Sequence, residues 1–157
     1  MKILSVRQPW AWLLFHGKDI ENRTWRTSYR GPLLIHASQA MEENDFPVQR
    51  EWIRESGIVI PNSLPRGAIV GAVTLTDVHD WASPPYTGFV PGQVKYSPSP
   101  WFEGPYGFEM EYAVPFYEPI PYRGQLGIRE ASDAHLTGDL FESLEDGIRF
   151  NEYLLTK

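Results

Sequence analysis

Residues 7–38 read RQPWAWLLFHGKDIENRTWRTSYRGPLLIHAS, and the fold turns on how this stretch changes its period. Its first part is helical. Pro9 suits the first position of a helix, where its missing N–H is not needed, Gly17 suits the residue just past the end, and Trp10, Leu13, Leu14 and Gly17 fall at helical spacing. That predicts a helix of about two turns that buries one face. After Gly17 the period becomes two: an extended segment would place Lys18, Ile20 and Asn22 on one side, and Asp19, Glu21, Arg23 and Trp25 on the other. Ser28 to Pro32 is a turn, and Leu33 to Ala37 is a nearly continuous apolar run of strand length, which predicts burial on both faces.

Working outward, Lys2 to Arg7 alternates apolar and polar residues and predicts a strand. Ser38 to Ser56 predicts a second helix, with Ser38 as N-cap, Glu42 and Glu43 early, Arg50 and Arg54 late, and a break at Pro47 that leaves Val48 to Glu55 as its main piece. Gly57 ends it. Leu64 to Gly67 is a turn before the strongest strand signal in the chain, Ala68 to Val78, rich in Val, Ile, Leu and Thr. Residues 82–105 carry Pro84, Pro85, Pro91, Pro98, Pro100 and Pro105, so they form a long loop whose aromatics (Tyr86, Phe89, Tyr96, Trp101 and Phe102) pack on something. Phe108 to Phe116 and Ile120 to Arg129 predict two more strands, and Ser132 to Tyr153 an acidic helix. Five or six strands with helices inserted between them predict an α+β domain, a small mixed sheet or partly closed barrel.

At 157 residues and 42% hydrophobic content, one compact domain with a real core is expected. There are no cysteines, so disulfides and thiolate metal sites are excluded, and the four histidines show no ligand spacing. No metal and no cofactor is expected. No apolar stretch approaches the ~20 residues of a membrane span, and Arg7 and Pro9 interrupt the N-terminus before any signal-like run. The expectation is a cytoplasmic monomer with no membrane partner.

Charge concentrates the search. Through Ser38 the chain has six cations against two carboxylates, a net of +4, and from Gln39 onward the net is −10. A local basic patch on an acidic protein can hold a specific anion, while the overall field opposes bulk coating of nucleic acid. Within the patch, Arg23, Trp25, Arg26 and Arg30 interleave guanidinium groups with an aromatic ring, as single-stranded nucleic-acid sites do; the alternative is a core Trp25 beside solvated arginines. Trp10 and Trp12 point in different directions on a helix. Gln8, Pro9 and Trp10 form the end that faces a cleft, with Trp12 in the core. His36, inside an apolar run, reads as a hydrogen-bonded core histidine or a base at the cleft wall. Lys18 is either an amine activated by desolvation or a plain anion contact. Glu21 is either its acid/base partner or an ion pair that positions Arg23.

The run QPWAWLLFHGKDIENRTWRTSYRGPLLIHAS, followed by GAIVGAVTLTDV and PYRGQLGI, resembles the signature of the ASCH (activating signal cointegrator homology) domain family, over roughly residues 2–130. The resemblance implies a PUA-like mixed β pseudo-barrel with inserted helices, in a class dominated by RNA binding and recognition of modified bases. It implies one domain over residues 1–131; the acidic segment after Ala131 lies outside the resemblance, and residues 132–157 are expected from their own sequence to be a helical extension packed on the same domain. One branch of the family hydrolyses 4-acetylcytidine with a Lys and, three residues on, a Thr. Lys18 matches that Lys, but Glu21 stands at the Thr position, and the acidic partner could be Asp77, Asp80 or Glu103. Other members have been proposed to cut RNA with a divalent ion. The expected function is therefore binding of RNA, or of a modified nucleoside or nucleotide, in a basic, aromatic-lined cleft formed by Gln8, Trp10, Arg23, Trp25, Arg26, Arg30 and His36. The alternative is a small hydrolase using Lys18 and Glu21, either an amidohydrolase of 4-acetylcytidine-like nucleosides or a ribonuclease.

Overall fold

Leu33 to Ala37 lie in the middle of the sheet, where a continuous apolar run belongs. In the computed structural model, which describes residues 1–43, 47–82 and 99–131, they are part of β3 (Gly31–Met41). This strand pairs in parallel with β1 (Lys2–Gln8) and antiparallel with β4 (Ala68–Asp80). Successive side chains go to opposite faces. Leu33, Ile35 and Ala37 join the main core with Leu4, Val6, Val73 and Phe108, whereas Leu34 joins Ile3, Ile69 and Ala72. Both faces are covered, so neither carries a polar alternation.

β4 pairs antiparallel with β5 (Tyr106–Pro121), whose first residues also pair with β2 (Ile20–Arg23), and β6 (Ile128–Glu130) pairs antiparallel with β1. The result is one mixed sheet of six strands in the order β2-β5-β4-β3-β1-β6, open at β2 and β6. Helix is sparse: α1 (Trp10–Leu13) and α2 (Pro47–Ser56). Among the described residues the expected mixed sheet with inserted helices is thus present, but the fold is mainly β and the sheet is open, where α+β and a pseudo-barrel were expected.

Three local expectations change with it. Helix α1 is a single turn, and Pro9 is its N-cap residue, not its first helical one. Ser38 caps no helix. Ser38 to Met41 prolong β3, because β1 runs beside them far enough to pair Gln8 with Met41 across a bulge, and the Glu42 N–H donates to the Gln8 carbonyl at 2.9 Å. The two strands expected between Phe108 and Arg129 are instead one long β5 and the short β6. Pro115, Pro119 and Pro121 do not break β5, because β2 pairs only with Tyr106 to Glu109. Beyond that point β5 is an edge, where a missing N–H costs no ladder bond.

A third apolar cluster sits apart from the sheet's two faces: Leu13, Ile20, Trp101 and Phe102 are buried together, with Trp12, Ile53 and Ile58 packed around them. It fastens α1, β2 and the segment from Ser99 to Gly104 to one another. The helix expected over residues 132–153, the rest of that extension and most of the proline-rich loop, with Tyr86, Phe89 and Tyr96, lie outside the described residues. Among the described residues no helix is long and apolar enough to cross a membrane.

Candidate functional site

The short α1 and the glycine after it set the site. The Lys18 N–H donates to the Leu13 carbonyl at 2.9 Å, a reversal that needs Gly17 at φ 110°, a left-handed conformation costly for any residue with a Cβ. Lys18 is thereby folded back under the helix, with its Nζ 5.6 Å from the Trp10 ring centroid. Lys18 precedes β2 and does not follow its alternation. It therefore meets Glu21, although a strictly extended segment would have put the two on opposite sides.

Glu21 is the centre of a buried ion cluster. Its Oε2 accepts from Lys18 Nζ at 2.7 Å, and its Oε1 lies 3.2 Å from Arg23 Nη2. Lys18 is only 3% exposed and Glu21 6%. Arg23 Nη2 also donates to the Ser5 carbonyl at 2.7 Å, and its guanidinium carbon is 6.0 Å from the Trp25 ring centroid. Trp25 packs edge-on against Phe108 at 5.1 Å.

Burial pushes the Lys18 ammonium below its ordinary pKa; Glu21 opposes this and Arg23 adds to it. For Glu21, burial alone would raise the pKa, but the Lys18 and Arg23 cations together outweigh it and hold the carboxyl below its ordinary value. Two cations share one carboxylate, so the carboxylate is the strongly held charge and Lys18 is the strained one.

This cluster floors a cavity of about 360 Å³ whose walls are Trp10, Trp25, Thr24, Asn22, Glu42, Gln49 from α2, and Glu103 and Gly104 from the segment just before β5. Asn22 holds that last wall in place. Its Nδ2 donates to the Trp101 carbonyl at 2.9 Å, and its Oδ1 accepts the N–H groups of Glu103 at 2.8 Å and Gly104 at 3.0 Å. Asn22→Ala strands three backbone groups at once, and urea unfolding is expected to show a loss of about 1–3 kcal/mol. A loss under about 0.5 kcal/mol, the scatter of an ordinary surface change, would mean that other contacts hold the wall.

Of the residues singled out from sequence, the structure brings Trp10, Lys18, Glu21, Arg23 and Trp25 together at this cavity, along with Glu103 of the three candidate acidic partners. Four others lie outside its lining. Gln8 is a buried clamp: its Nε2 donates to the Pro65 carbonyl and its Oε1 accepts the Trp12 N–H, both at 2.9 Å. Arg26 is 64% exposed, 3.5 Å from Asp80, and Arg30 is 3.6 Å from Asp77. His36 sits deep in the sheet, where its Nε2–H donates to the Tyr122 carbonyl at 2.8 Å and its Nδ1 accepts the Ser5 hydroxyl at 3.0 Å. Burial lowers its pKa, and the neutral ring fits both partners. Asn22, Thr24, Glu42 and Gln49 were not anticipated as site residues. Asn22 could have been read from its place beside Glu21 and Arg23, but Gln49, one polar residue among several on α2, carries no such signal. Among the described residues no group of three or more His, Asp and Glu is placed to hold a metal ion.

The family model of the ASCH domain matches residues 4–115. The chain is 38% identical over 79 residues to human activating signal cointegrator 1 and 37% identical over 79 residues to the mouse protein of that name. Each match covers 47% of this chain, and the chain spans about 14% of the length of these curated relatives. With the family model covering well over half of its residues, including the helix-turn-strand segment that builds the cavity floor, the chain belongs to the ASCH domain family.

Proposed function

We propose that the cavity binds one nucleoside unit of a single-stranded RNA or a free nucleotide. The observation that carries this reading is the combination of a tryptophan-lined hollow of about 360 Å³ with a buried Lys18–Glu21–Arg23 cluster at its floor. Aromatic walls offer stacking to a base, worth about 1–3 kcal/mol per base, and the floor offers fixed polar groups that orient it. Arg26 and Arg30, exposed just beyond the strand that carries the cluster, supply the phosphate contacts.

Anisotropy titrations of a short labelled RNA test this. With only those two phosphate contacts, log affinity should fall with log salt at a slope of about −1.4, and Arg26→Ala should lessen that slope by about 0.7. Trp25→Ala should weaken binding about tenfold or more at every salt concentration. A slope several times steeper, or unchanged binding in both variants, would place nucleic acid elsewhere on the protein.

A second reading, hydrolysis, draws on one observation: the Lys18 amine is desolvated, lowered in pKa and open to the same cavity. Such an amine gives up its proton more readily than an exposed lysine. The reading is of an amidohydrolase acting on an acylated nucleoside, with Glu21 holding Lys18 in place. Thr24 is the one hydroxyl-bearing side chain among the described lining residues. Release of cytidine from 4-acetylcytidine by the parent protein, and none by Lys18→Ala, is its signature.

A further inference from the structure

The fold cancels the basic stretch of the sequence. Each of the six cations up to Ser38 faces a carboxylate, at distances from 2.7 Å to 3.9 Å, and all of those carboxylates but Glu21 belong to the acidic part of the chain after Ser38. The pairing includes the two arginines that the reading above assigns to phosphate. Arg26 Nη1 lies 3.5 Å from Asp80 Oδ2, and Arg30 Nη2 lies 3.6 Å from Asp77 Oδ1, both carboxylates being on β4. Neither carboxylate is loose. Asp80 Oδ1 accepts the Ala82 N–H and Asp77 Oδ1 accepts the Val78 N–H, each at 2.8 Å, so each is held beside its arginine by the backbone of its own segment. Exposed ion pairs are weak enough for a phosphate to displace them, but the fixed carboxylate then stands next to the phosphate as a like charge. The gain from each arginine is therefore small.

Building on the RNA-binding reading above, we propose that Asp77 and Asp80 are specificity-determining residues: they occupy the phosphate-binding arginines, so that the base in the cavity, and not the backbone charge, decides what binds. A polyanion without a fitting base must displace both carboxylates with no stacking to offset the loss. Specificity here comes from a repulsive element set beside the attractive one. The ligand class is accordingly one chosen by its base, with the phosphate of a nucleotide adding little to the affinity of its nucleoside.

The test compares a short labelled RNA with a labelled abasic oligonucleotide of the same length, by anisotropy titration of the full chain. The parent protein should bind the RNA about tenfold or more tighter than the abasic oligomer. Asp77→Asn and Asp80→Asn keep the size of each side chain and its acceptor for the backbone N–H, and remove only the charge. Each should tighten the abasic oligomer about threefold, and the two together about tenfold. The gain from Asp80→Asn should vanish when Arg26→Ala is added, because the carboxylate acts through that arginine. Glu118→Gln removes the same charge near the other end of the β4–β5 pair and should leave binding unchanged. Equal binding of RNA and abasic oligomer by the parent overturns the inference, as does an equal gain from Glu118→Gln, which would make net charge the cause. If Arg26→Ala weakens RNA binding while the doubly substituted protein binds no tighter, the RNA reading stands and only the role of the two aspartates falls. If neither the parent nor the doubly substituted protein binds the RNA, both readings fall together.

Discussion

Glu21→Gln is expected to cost about 3–5 kcal/mol of folding stability, among the largest effects of any single change at the site. The substitution keeps the side chain's size and removes only its charge. Lys18, 3% exposed, then has no carboxylate within ion-pair distance among the described residues, and Arg23 loses the contact at 3.2 Å. Lys18→Met is expected to cost less than Glu21→Gln, because Glu21 keeps Arg23 while the buried ammonium disappears. Urea unfolding of the two variants gives the order, and a larger loss for Lys18→Met would show that Lys18, not Glu21, is the group the others depend on. The pH dependence follows with its sign. Glu21 has a folded pKa below its unfolded value of 4.5, so its contribution is complete above pH 4.5 and is lost as pH falls below it through the folded pKa. Glu21→Gln should therefore remove part of the acid-side loss of stability that the parent protein shows below pH 4.5.

Trp101→Ala is expected to cost about 3–5 kcal/mol, and it acts at a distance from the ion cluster. Trp101 is 2% exposed and fills the centre of the third apolar cluster, touching elements that no ladder bond joins. Trp52 on α2 meets it edge-on at 6.4 Å, and its carbonyl is the one held by Asn22. Removing the indole therefore opens a cavity where α1, β2 and the segment just before β5 converge. The same change should weaken ligand binding, since Glu103 and Gly104 follow directly in the chain. Trp52→Ala is the comparison: at 37% exposed, Trp52 should cost less than half as much. Equal losses would mean that the cluster is organised from α2 and not from Trp101.

The part of this architecture legible in the sequence is the part set by near neighbours. A continuous run such as Leu33 to Ala37 has one stable solution, a strand covered on both sides, and the Val- and Thr-rich residues of β4 need no distant partner to be extended. Ser38 is different: its local chemistry is that of an N-cap, and only the parallel alignment with β1 turns it into strand. The long β5 was expected as two strands because the sequence does not reveal that β2 begins only at Ile20, opposite Glu109, and leaves the rest of β5 without it as a neighbour. The site divides in the same way. Trp10, Lys18, Glu21, Arg23 and Trp25 lie within sixteen residues of one another and were singled out together. Gln49 and the Glu103–Gly104 wall come from far along the chain, and the bond network of Asn22 that brings the wall in is a tertiary fact. The charge asymmetry also misled in one respect: the basic segment counts Lys18 and Arg23 as available, whereas the fold uses both to neutralise Glu21.

The parallel pairing of β1 with β3 has a consequence for synthesis. It leaves the outer side of β1 to be covered by β6, with Lys2 aligned to Glu130 and the two joined by an ion pair at 2.8 Å. β1 is thus completed by a strand that lies far later in the chain. Until Ile128 to Glu130 emerge, a nascent chain presents Ile3 and Leu4 on an unpaired ladder, a template that other nascent copies could extend. Contacts between residues so far apart in the chain also form slowly, because loop closure must come before any of their energy is gained. The charged side chains that flank this edge, Lys2 and Arg7, disfavour such pairing.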